Sequence, residues 1–207
     1  MTSATIVYVV DDDDAVRASI DRLLRSVGHE VAGFSAPQAF LAAPRHARPS
    51  CLVLDVRLPF MSGLEFQREL ALLQIDIPIV FITGHGDVPM SVAAMKAGAV
   101  EFLMKPFRDQ DLIDAVHRGI QLDRQRAEAK QALDEISTRH ASLTAREREV
   151  MSAVVSGLMN KQIAALLDIS EVTVKVHRAQ VMRKMGVTTL PELVRQADRL
   201  GLPTPKA

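Results

Sequence analysis

Asp55 stands where a short apolar segment of this sequence stops. Residues 51–54 read Cys-Leu-Val-Leu, and the segment lies between Pro49 and Pro59. An apolar run of this length, bounded on both sides, predicts a strand that is buried on both faces of a sheet. In an open parallel sheet, ligands bind at the carboxyl ends of the strands. The pattern therefore predicts that Asp55 is a functional carboxylate.

Other polar residues stand at or just after the ends of strand-like runs, and they are Asp11, Asp12, Thr83 and Lys105. If the runs are parallel strands, these side chains meet Asp55 at one edge of the sheet. Neighbouring carboxylates repel each other, and a bound cation relieves the repulsion. We therefore expect a Mg²⁺ site there, because this ion combines one or two carboxylates with water and phosphate oxygens. The ammonium of Lys105 and the hydroxyl of Thr83 are suited to bind phosphoryl oxygens developing at Asp55.

The elements that would position these residues alternate along the chain. Strand-like runs occupy residues 5–10, 30–34, 51–54, 78–82 and 100–103. The segments between them have helical spacing of apolar residues. Five strands that alternate with helices predict an α/β fold with a doubly wound, five-stranded parallel sheet. We expect Asp13 or Asp14 to cap the first helix, and Ser35 to cap the second.

Composition and charge narrow the class of protein. With 48% hydrophobic residues in 207, the chain has enough apolar side chains for packed cores. It lacks an apolar run of 18 residues or a leader-like amino terminus, so we expect a cytoplasmic protein without a membrane partner. Its one cysteine, Cys51, excludes an internal disulfide and is expected to fill core space. The formal net charge is −4 over residues 1–141 and +4 over residues 142–207, which suggests different partners for the two parts.

The segment at 121–132 is predicted to extend the helix before it. It is almost entirely polar or alanine, and its Ala, Gln, Glu, Lys and Arg are strong helix formers. A solvated helix therefore fits better than a flexible tether.

The carboxyl-terminal part has the pattern of a small helical domain. Thr144-Ala-Arg-Glu147 has the spacing of a capping box, and two more helices are expected from Asn160 and after Ser170 as N-cap. A fourth is expected near residues 190–200. A short second helix, a tight turn and a longer third helix together predict a helix-turn-helix.

The third of these helices has two distinct faces at 100° per residue. One face carries apolar residues that should pack inward, namely Val174, Val181 and Met185. The opposite face carries Lys175, Val176, Ala179 and Arg183. That face suits a DNA major groove, where lysine reaches guanine acceptors and small apolar groups touch thymine methyls. An ordinary solvated face with a few positive charges explains the periodicity equally well.

The first part of the chain resembles the receiver domain of bacterial two-component response regulators. The matching motifs are Val-Val-Asp-Asp at 9–12, Asp55 with Pro59 and Gly63, Thr83-Gly84, and Lys105-Pro106-Phe107. The resemblance implies that Asp55 is phosphorylated by a sensor histidine kinase and that Thr83 and Lys105 bind the phosphoryl group. It implies a Mg²⁺ site formed by Asp11, Asp12, Asp55 and the backbone carbonyl of Arg57. It also implies a cis bond before Pro106 and a switch role for Phe102.

The second part resembles the LuxR-type DNA-binding domain, and nearly the whole chain is similar to FixJ-type transcriptional regulators. The matching segments are 143–150, 157–164 and 172–177. The resemblance implies DNA contacts by Asn160, Lys161, Thr173, Lys175, Val176, Arg178, Ala179 and Arg183. Several relatives carry a basic residue where this chain has Ala179. The implied partners are promoter DNA, RNA polymerase, and a second copy of the chain after phosphorylation.

This resemblance implies a receiver domain over 1–121, a linker helix over 122–142 and a DNA-binding domain over 143–207, with no enzymatic turnover. Two alternatives belong to other classes. The first is a Mg²⁺-dependent phosphatase with an aspartate nucleophile, which Asp12-x-Asp14-x-Val16 matches. It gives Asp55 no role and leaves residues 143–200 unexplained. The second is a receiver that acts only as a protein-interaction module, which predicts no specific DNA binding.

Overall fold

The computed structural model describes residues 5–44 and 48–203. The chain divides into two compact units with the bounds Met1–Ala127 and Glu128–Ala207. The first unit contains five strands: β1 (Ile6–Val10), β2 (Glu30–Phe34), β3 (Ser50–Asp55), β4 (Ile79–Thr83) and β5 (Glu101–Met104). Its helices are α1 (Asp14–Ser26), α2 (Pro37–Ala42), α3 (Gly63–Leu72), α4 (Val88–Lys96) and the start of α5 (Asp109–Ala141). The strands form one parallel sheet in the order β2-β1-β3-β4-β5, so the predicted fold class is confirmed.

The central strands are buried because helices cover both faces of the sheet. Residues of β1 and β3 alternate between two apolar clusters, one with Phe40 and Phe66 and the other with Leu24 and Leu112. Cys51 is fully buried, as predicted, and burial raises the pKa of its thiol to about 12. The apolar run before Asp55 therefore forms the middle of the unit.

Local capping follows the sequence at α1 and departs from it at α2. The Asp13 carboxylate accepts from the backbone N–H groups of Ala15 and Val16, at 2.8 and 3.2 Å. The prediction that Ser35 caps α2 is wrong, because Ala36 is the N-cap residue and provides no side-chain bond. Pro37 occupies the first turn, and a proline holds the residue before it in an extended conformation, so the helix begins one residue later.

Helix α5 continues without a break from Asp109 to Ala141, and most of residues 121–135 are exposed. This agrees with the predicted helical extension. The second unit adds α6 (Ala145–Val155), α7 (Asn160–Leu167), α8 (Glu171–Met185) and α9 (Leu190–Arg199) around an apolar core. No helix of residues 5–44 and 48–203 is long and apolar enough to cross a membrane.

The predicted caps of the second unit are present. Thr144 and Glu147 form a reciprocal capping box at α6, and the Ser170 hydroxyl accepts from the Thr173 backbone N–H at 3.1 Å. Glu147 is buried and also accepts from the Lys184 ammonium at 2.6 Å, so the first turn of α6 is tied to α8. This hydrogen bond is the main cause of the lowered pKa of Glu147.

Candidate functional site: an acidic pocket and a helix-turn-helix surface

Three carboxylates meet at the carboxyl edge of the sheet. β1 and β3 are neighbours, so Asp11 and Asp12, which directly follow β1, lie beside Asp55, the last residue of β3. One carboxylate oxygen from each of the three lies within 4.8 Å of the others. Asp11 is fully buried and Asp55 nearly so, whereas Asp12 is exposed. Asp12 is therefore the carboxylate of the cluster that faces solvent.

Lys105 supplies a positive charge to the buried side of this pocket. Its Nζ donates to Asp11 Oδ2 at 2.6 Å and to Asp55 Oδ2 at 2.8 Å. Burial raises the pKa of Asp11, although the hydrogen bond from Lys105 opposes the rise. Burial acts to lower the pKa of Lys105, but its bonds to the two carboxylates outweigh that effect and raise it. Lys105 is therefore a charged ammonium in contact with both carboxylates.

The end of β5 is tied to β4, which sets the position of Lys105. The backbone N–H of Lys105 donates to the Thr83 carbonyl at 2.7 Å. The peptide bond between Lys105 and Pro106 is cis, as the resemblance implied.

Thr83 is fully buried at the end of β4. Its hydroxyl donates to the His85 carbonyl at 3.2 Å and lies 3.3 Å from the His85 backbone nitrogen, which donates to it. In this state the hydroxyl therefore holds the turn after β4.

Phe102 packs between β4 and that same turn. Its ring centre lies 6.2 Å from that of Phe81, and the ring is half-buried. A Cβ atom placed on Gly86 would lie only 2.9 Å from the ring, so the turn and the aromatic side chain are in close contact. The predicted switch residue and the predicted phosphoryl ligand Thr83 thus touch the same short segment.

The loop after β3 is bonded to Asp55 itself. The Arg57 backbone N–H donates to Asp55 Oδ1 at 3.0 Å, and Arg57 forms a β-bridge with Ser62. Gly63 is required here, because a Cβ atom at this position would lie 2.4 Å from the Asp55 carbonyl oxygen. The loop therefore holds the Asp55 side chain in place.

The acidic cluster has the donors that Mg²⁺ prefers. The ion takes carboxylate oxygens and retains several waters, and an exposed Asp12 leaves room for them. The burial that raises the pKa of Asp11 also shows that an uncompensated negative charge there is costly. The residues of the pocket therefore fit the ion.

The second unit places the predicted basic and apolar face of α8 in solvent. Lys175, Val176, Ala179 and Arg183 are exposed, whereas Val174, Val181 and Met185 are buried.

Of the remaining predicted DNA contacts, Lys161 is exposed and Thr173 is half-buried. Arg178 lies nearer the inward face, and its Nη1 donates to Asn160 Oδ1 at 2.7 Å. Sequence periodicity did not reveal that two of the predicted phosphate contacts are bonded to each other.

Two family models match the chain. Residues 7–117 match the response regulator receiver domain, and residues 141–197 match the bacterial regulatory proteins of the luxR family. The chain therefore belongs to the two-component response regulators that join a receiver domain to a LuxR-type DNA-binding domain.

Named relatives narrow the class to FixJ-like regulators. Nodulation protein W of Bradyrhizobium diazoefficiens is 50% identical over 201 residues, which are 97% of this chain and 88% of the relative. Transcriptional regulatory protein FixJ of Rhizobium meliloti is 50% identical over 198 residues, 95% of this chain and 96% of the relative.

Solved structures give the same result. The response regulator StyR is 49% identical with a TM-score of 0.84, over 95% of this chain and 99% of that one. Full-length FixJ from B. japonicum is 44% identical with a TM-score of 0.57, over 96% and 98%.

These findings favour the regulator over the phosphatase. Asp14, the second carboxylate of the phosphatase motif, is exposed in the first turn of α1, where it pairs with Arg17. The phosphatase alternative also gives no role to Asp55, which lies in the acidic cluster with Asp11 and Asp12.

Proposed function

We propose that this chain is a FixJ-like transcriptional regulator in which Asp55 accepts a phosphoryl group from a sensor histidine kinase. Phosphorylation promotes dimerisation of the receiver and sequence-specific binding to promoter DNA. The bound dimer activates transcription through RNA polymerase, and the protein acts in the cytoplasm. The observation that carries the proposal is the contact of one ammonium group, Lys105 Nζ, with the carboxylates of Asp11 and Asp55.

The chemistry follows from that contact. An oxygen of the Asp55 carboxylate attacks phosphorus while the bond from phosphorus to the kinase histidine breaks, and the histidine nitrogen keeps the bonding electron pair. The Lys105 ammonium, already beside Asp55, stabilises the charge on the phosphoryl oxygens. Bound through Asp11, Asp12, Asp55 and the Arg57 carbonyl, Mg²⁺ would neutralise charge on the same oxygens. The phosphoryl group is retained as a signal, so we propose no enzymatic turnover.

The switch follows from what Thr83 and Phe102 contact. To donate to a phosphoryl oxygen, the Thr83 hydroxyl must give up its bond to the His85 carbonyl. That change loosens the turn at residues 84–86, against which Phe102 is packed. A ring that moves inward reshapes the surface formed by α4, β5 and α5, where Val88, Val92, Met95 and Met104 are exposed.

Phosphorylation shifts the population only by its differential stabilisation of the active state. A shift from 1:99 to 99:1 would need about 5.5 kcal/mol, so we expect a graded response.

The proposed DNA surface is the exposed face of α8 with the start of α7. We propose that Lys175, Val176 and Ala179 face bases, while Asn160, Lys161, Thr173, Arg178 and Arg183 contact phosphates. Basic and amide side chains suit phosphate contacts, which position the protein, and contacts to base edges provide sequence specificity.

DNA binding in the presence of a small phosphodonor tests the receiver. Binding to a promoter-derived library is measured at fixed salt, with and without acetyl phosphate and Mg²⁺, for the wild type and Asp55→Asn. We expect the donor to increase specific binding and dimerisation in the wild type only. Equal binding by both proteins with no response to the donor would remove Asp55 from the mechanism.

A pair of charge variants tests the DNA surface. Lys175→Ala removes a proposed base contact, and we expect a loss of about 1–3 kcal/mol of binding to the selected site. Arg199→Ala removes an exposed positive charge at the end of α9, outside the proposed surface, and is the matched control. Equal losses for the two variants would mean that α8 contributes only general electrostatic attraction. Absence of any specific binding would instead favour a protein-interaction module.

A further inference from the structure

Phe60 combines two unfavourable features at one position, close to the phosphoacceptor. Its side chain is fully exposed, with a relative accessibility of 106%, and its backbone has φ of +72°. A bulky residue at positive φ is a genuine outlier, and such conformations persist where the surrounding structure and function require them. Glycine would adopt this conformation without strain and would expose no ring. The fold alone therefore gives no reason for phenylalanine here.

The loop that carries Phe60 is held firmly against Asp55. The Arg57–Ser62 bridge closes it, the Gly63 N–H donates to the Val56 carbonyl at 2.8 Å, and the Arg57 N–H holds the Asp55 carboxylate. Phe60 is five positions after Asp55 in the sequence, so their Cα atoms are at most about 19 Å apart. A bonded loop thus presents an exposed aromatic ring within that distance of the site of phosphorylation.

We propose that Phe60 is a docking anchor for the protein that donates the phosphoryl group, which receives the ring in an apolar pocket next to its phosphohistidine. This inference rests on the proposed phosphotransfer to Asp55. A protein donor must bring phosphorus into bonding contact with Asp55, and specific interfaces comprise about 20–30 residues on each side. The interface therefore extends over the adjoining loop. Aromatic side chains on rigid supports are typical anchors of such interfaces.

A second copy of this chain is the less suitable occupant. The surface proposed for receiver dimerisation has its own exposed apolar side chains on α4 and β5, including Val88 and Met104. Phe60 belongs instead to the loop that contacts the phosphoacceptor carboxylate.

The test compares two phosphodonors on the full-length chain. The first is the autophosphorylated sensor kinase that transfers fastest to the wild type in a profile of the kinases from the source genome, and the second is acetyl phosphate with Mg²⁺. Phe60→Asn removes the ring and keeps a residue that tolerates positive φ, and Phe60→Tyr keeps the ring. Leu72→Ala is the matched control, because Leu72 is 85% exposed at the far end of α3.

We expect Phe60→Asn to lower kcat/KM for transfer from the kinase about tenfold or more, relative to its rate with acetyl phosphate. The loss should lie in KM, so that transfer recovers at high receiver concentration. Phe60→Tyr and Leu72→Ala should stay within about twofold of the wild type. The proposal is overturned if Phe60→Asn leaves unchanged the ratio of kcat/KM with the kinase to the rate with acetyl phosphate. It is also overturned if Phe60→Asn slows phosphorylation equally with both donors, because the ring would then act at the acceptor site itself. If the wild type takes no phosphoryl group from acetyl phosphate at Asp55, the proposed function has failed instead.

Discussion

Gly119 in α5 packs closely against β3, the strand that ends in Asp55. A Cβ atom added there would lie 2.5 Å from the Cys51 sulfur, 3.3 Å from Cys51 Cβ and 3.6 Å from Pro78 Cβ. Both Gly119 and Cys51 are buried. We predict that Gly119→Ala destabilises the receiver unit, and that Cys51→Ala suppresses the effect because it removes the sulfur atom.

The magnitude follows from opposing contributions. Alanine is favoured over glycine inside a helix by about 1 kcal/mol. Overpacking a close-packed interior costs about 1–3 kcal/mol, so Gly119→Ala alone should destabilise by about 0–2 kcal/mol. Cys51→Ala alone should cost about 1 kcal/mol for one lost buried atom. In the double variant the new methyl group faces the vacated space, so we expect a coupling energy of about 1–3 kcal/mol.

The assay uses the aromatic composition of the chain. The sequence has no tryptophan and one tyrosine, Tyr8, which lies buried in β1. Tyrosine emission during urea unfolding therefore reports on the receiver unit alone, which matters because a chain of two units need not unfold in a single transition. The four proteins of the cycle are measured in full length at one pH and one salt concentration.

Additivity is the result that would refute this reasoning. Distant, independent sites add to within about 0.5 kcal/mol, so a coupling energy below that value means that Gly119 and Cys51 do not compete for the same space. A Gly119→Ala variant more stable than the wild type would mean that helix propensity outweighs the contact, and that α5 can move away from β3 at little cost.

Two further predictions concern the charged contacts. Glu147→Gln should destabilise the second unit by about 1.5–3 kcal/mol at neutral pH, because it weakens a buried hydrogen bond to the Lys184 ammonium. The fold lowers the pKa of Glu147 from 4.5, so the wild type has this advantage above that pH and loses it as the pH falls through the folded value. Denaturant unfolding followed by far-UV circular dichroism should therefore show the two proteins converging in acid, and a constant difference would contradict the assignment. Lys105→Met should tighten Mg²⁺ binding in calorimetric titrations, because it removes a positive charge held by Asp11 and Asp55. The same variant should slow phosphorylation by acetyl phosphate. Weaker Mg²⁺ binding by Lys105→Met would contradict this prediction.

Local sequence patterns predicted the elements well, because strand and helix formation depend mainly on periodicity and caps. The apolar run before Asp55, the cap at Asp13 and the box at Thr144 are each readable within a few residues, and each is present. Parallel strands bring their carboxyl ends to one edge, so the meeting of Asp11 with Asp55 followed from the alternation alone.

The remaining features depend on contacts between distant residues. His29 and His117 are separated by 88 positions, yet their rings lie 5.2 Å apart, and no spacing in the sequence indicates it. Burial, together with the charge of His117, lowers the pKa of His29. The left-handed backbone at Phe60 was missed for a different reason, because such conformations are rare for phenylalanine and the side chain gives no signal of them.

If Arg178 contacts a DNA phosphate as proposed, its bond to Asn160 changes the entropy of DNA binding. A free arginine side chain has about 2 kcal/mol of rotamer entropy, which a phosphate contact would otherwise remove at the moment of association. Here the bond restricts the guanidinium when the second unit folds, so part of that loss would precede the binding of promoter DNA. Such preorganisation raises affinity without adding a contact. The affinity for promoter DNA would then depend partly on a bond that is already present in the unbound protein.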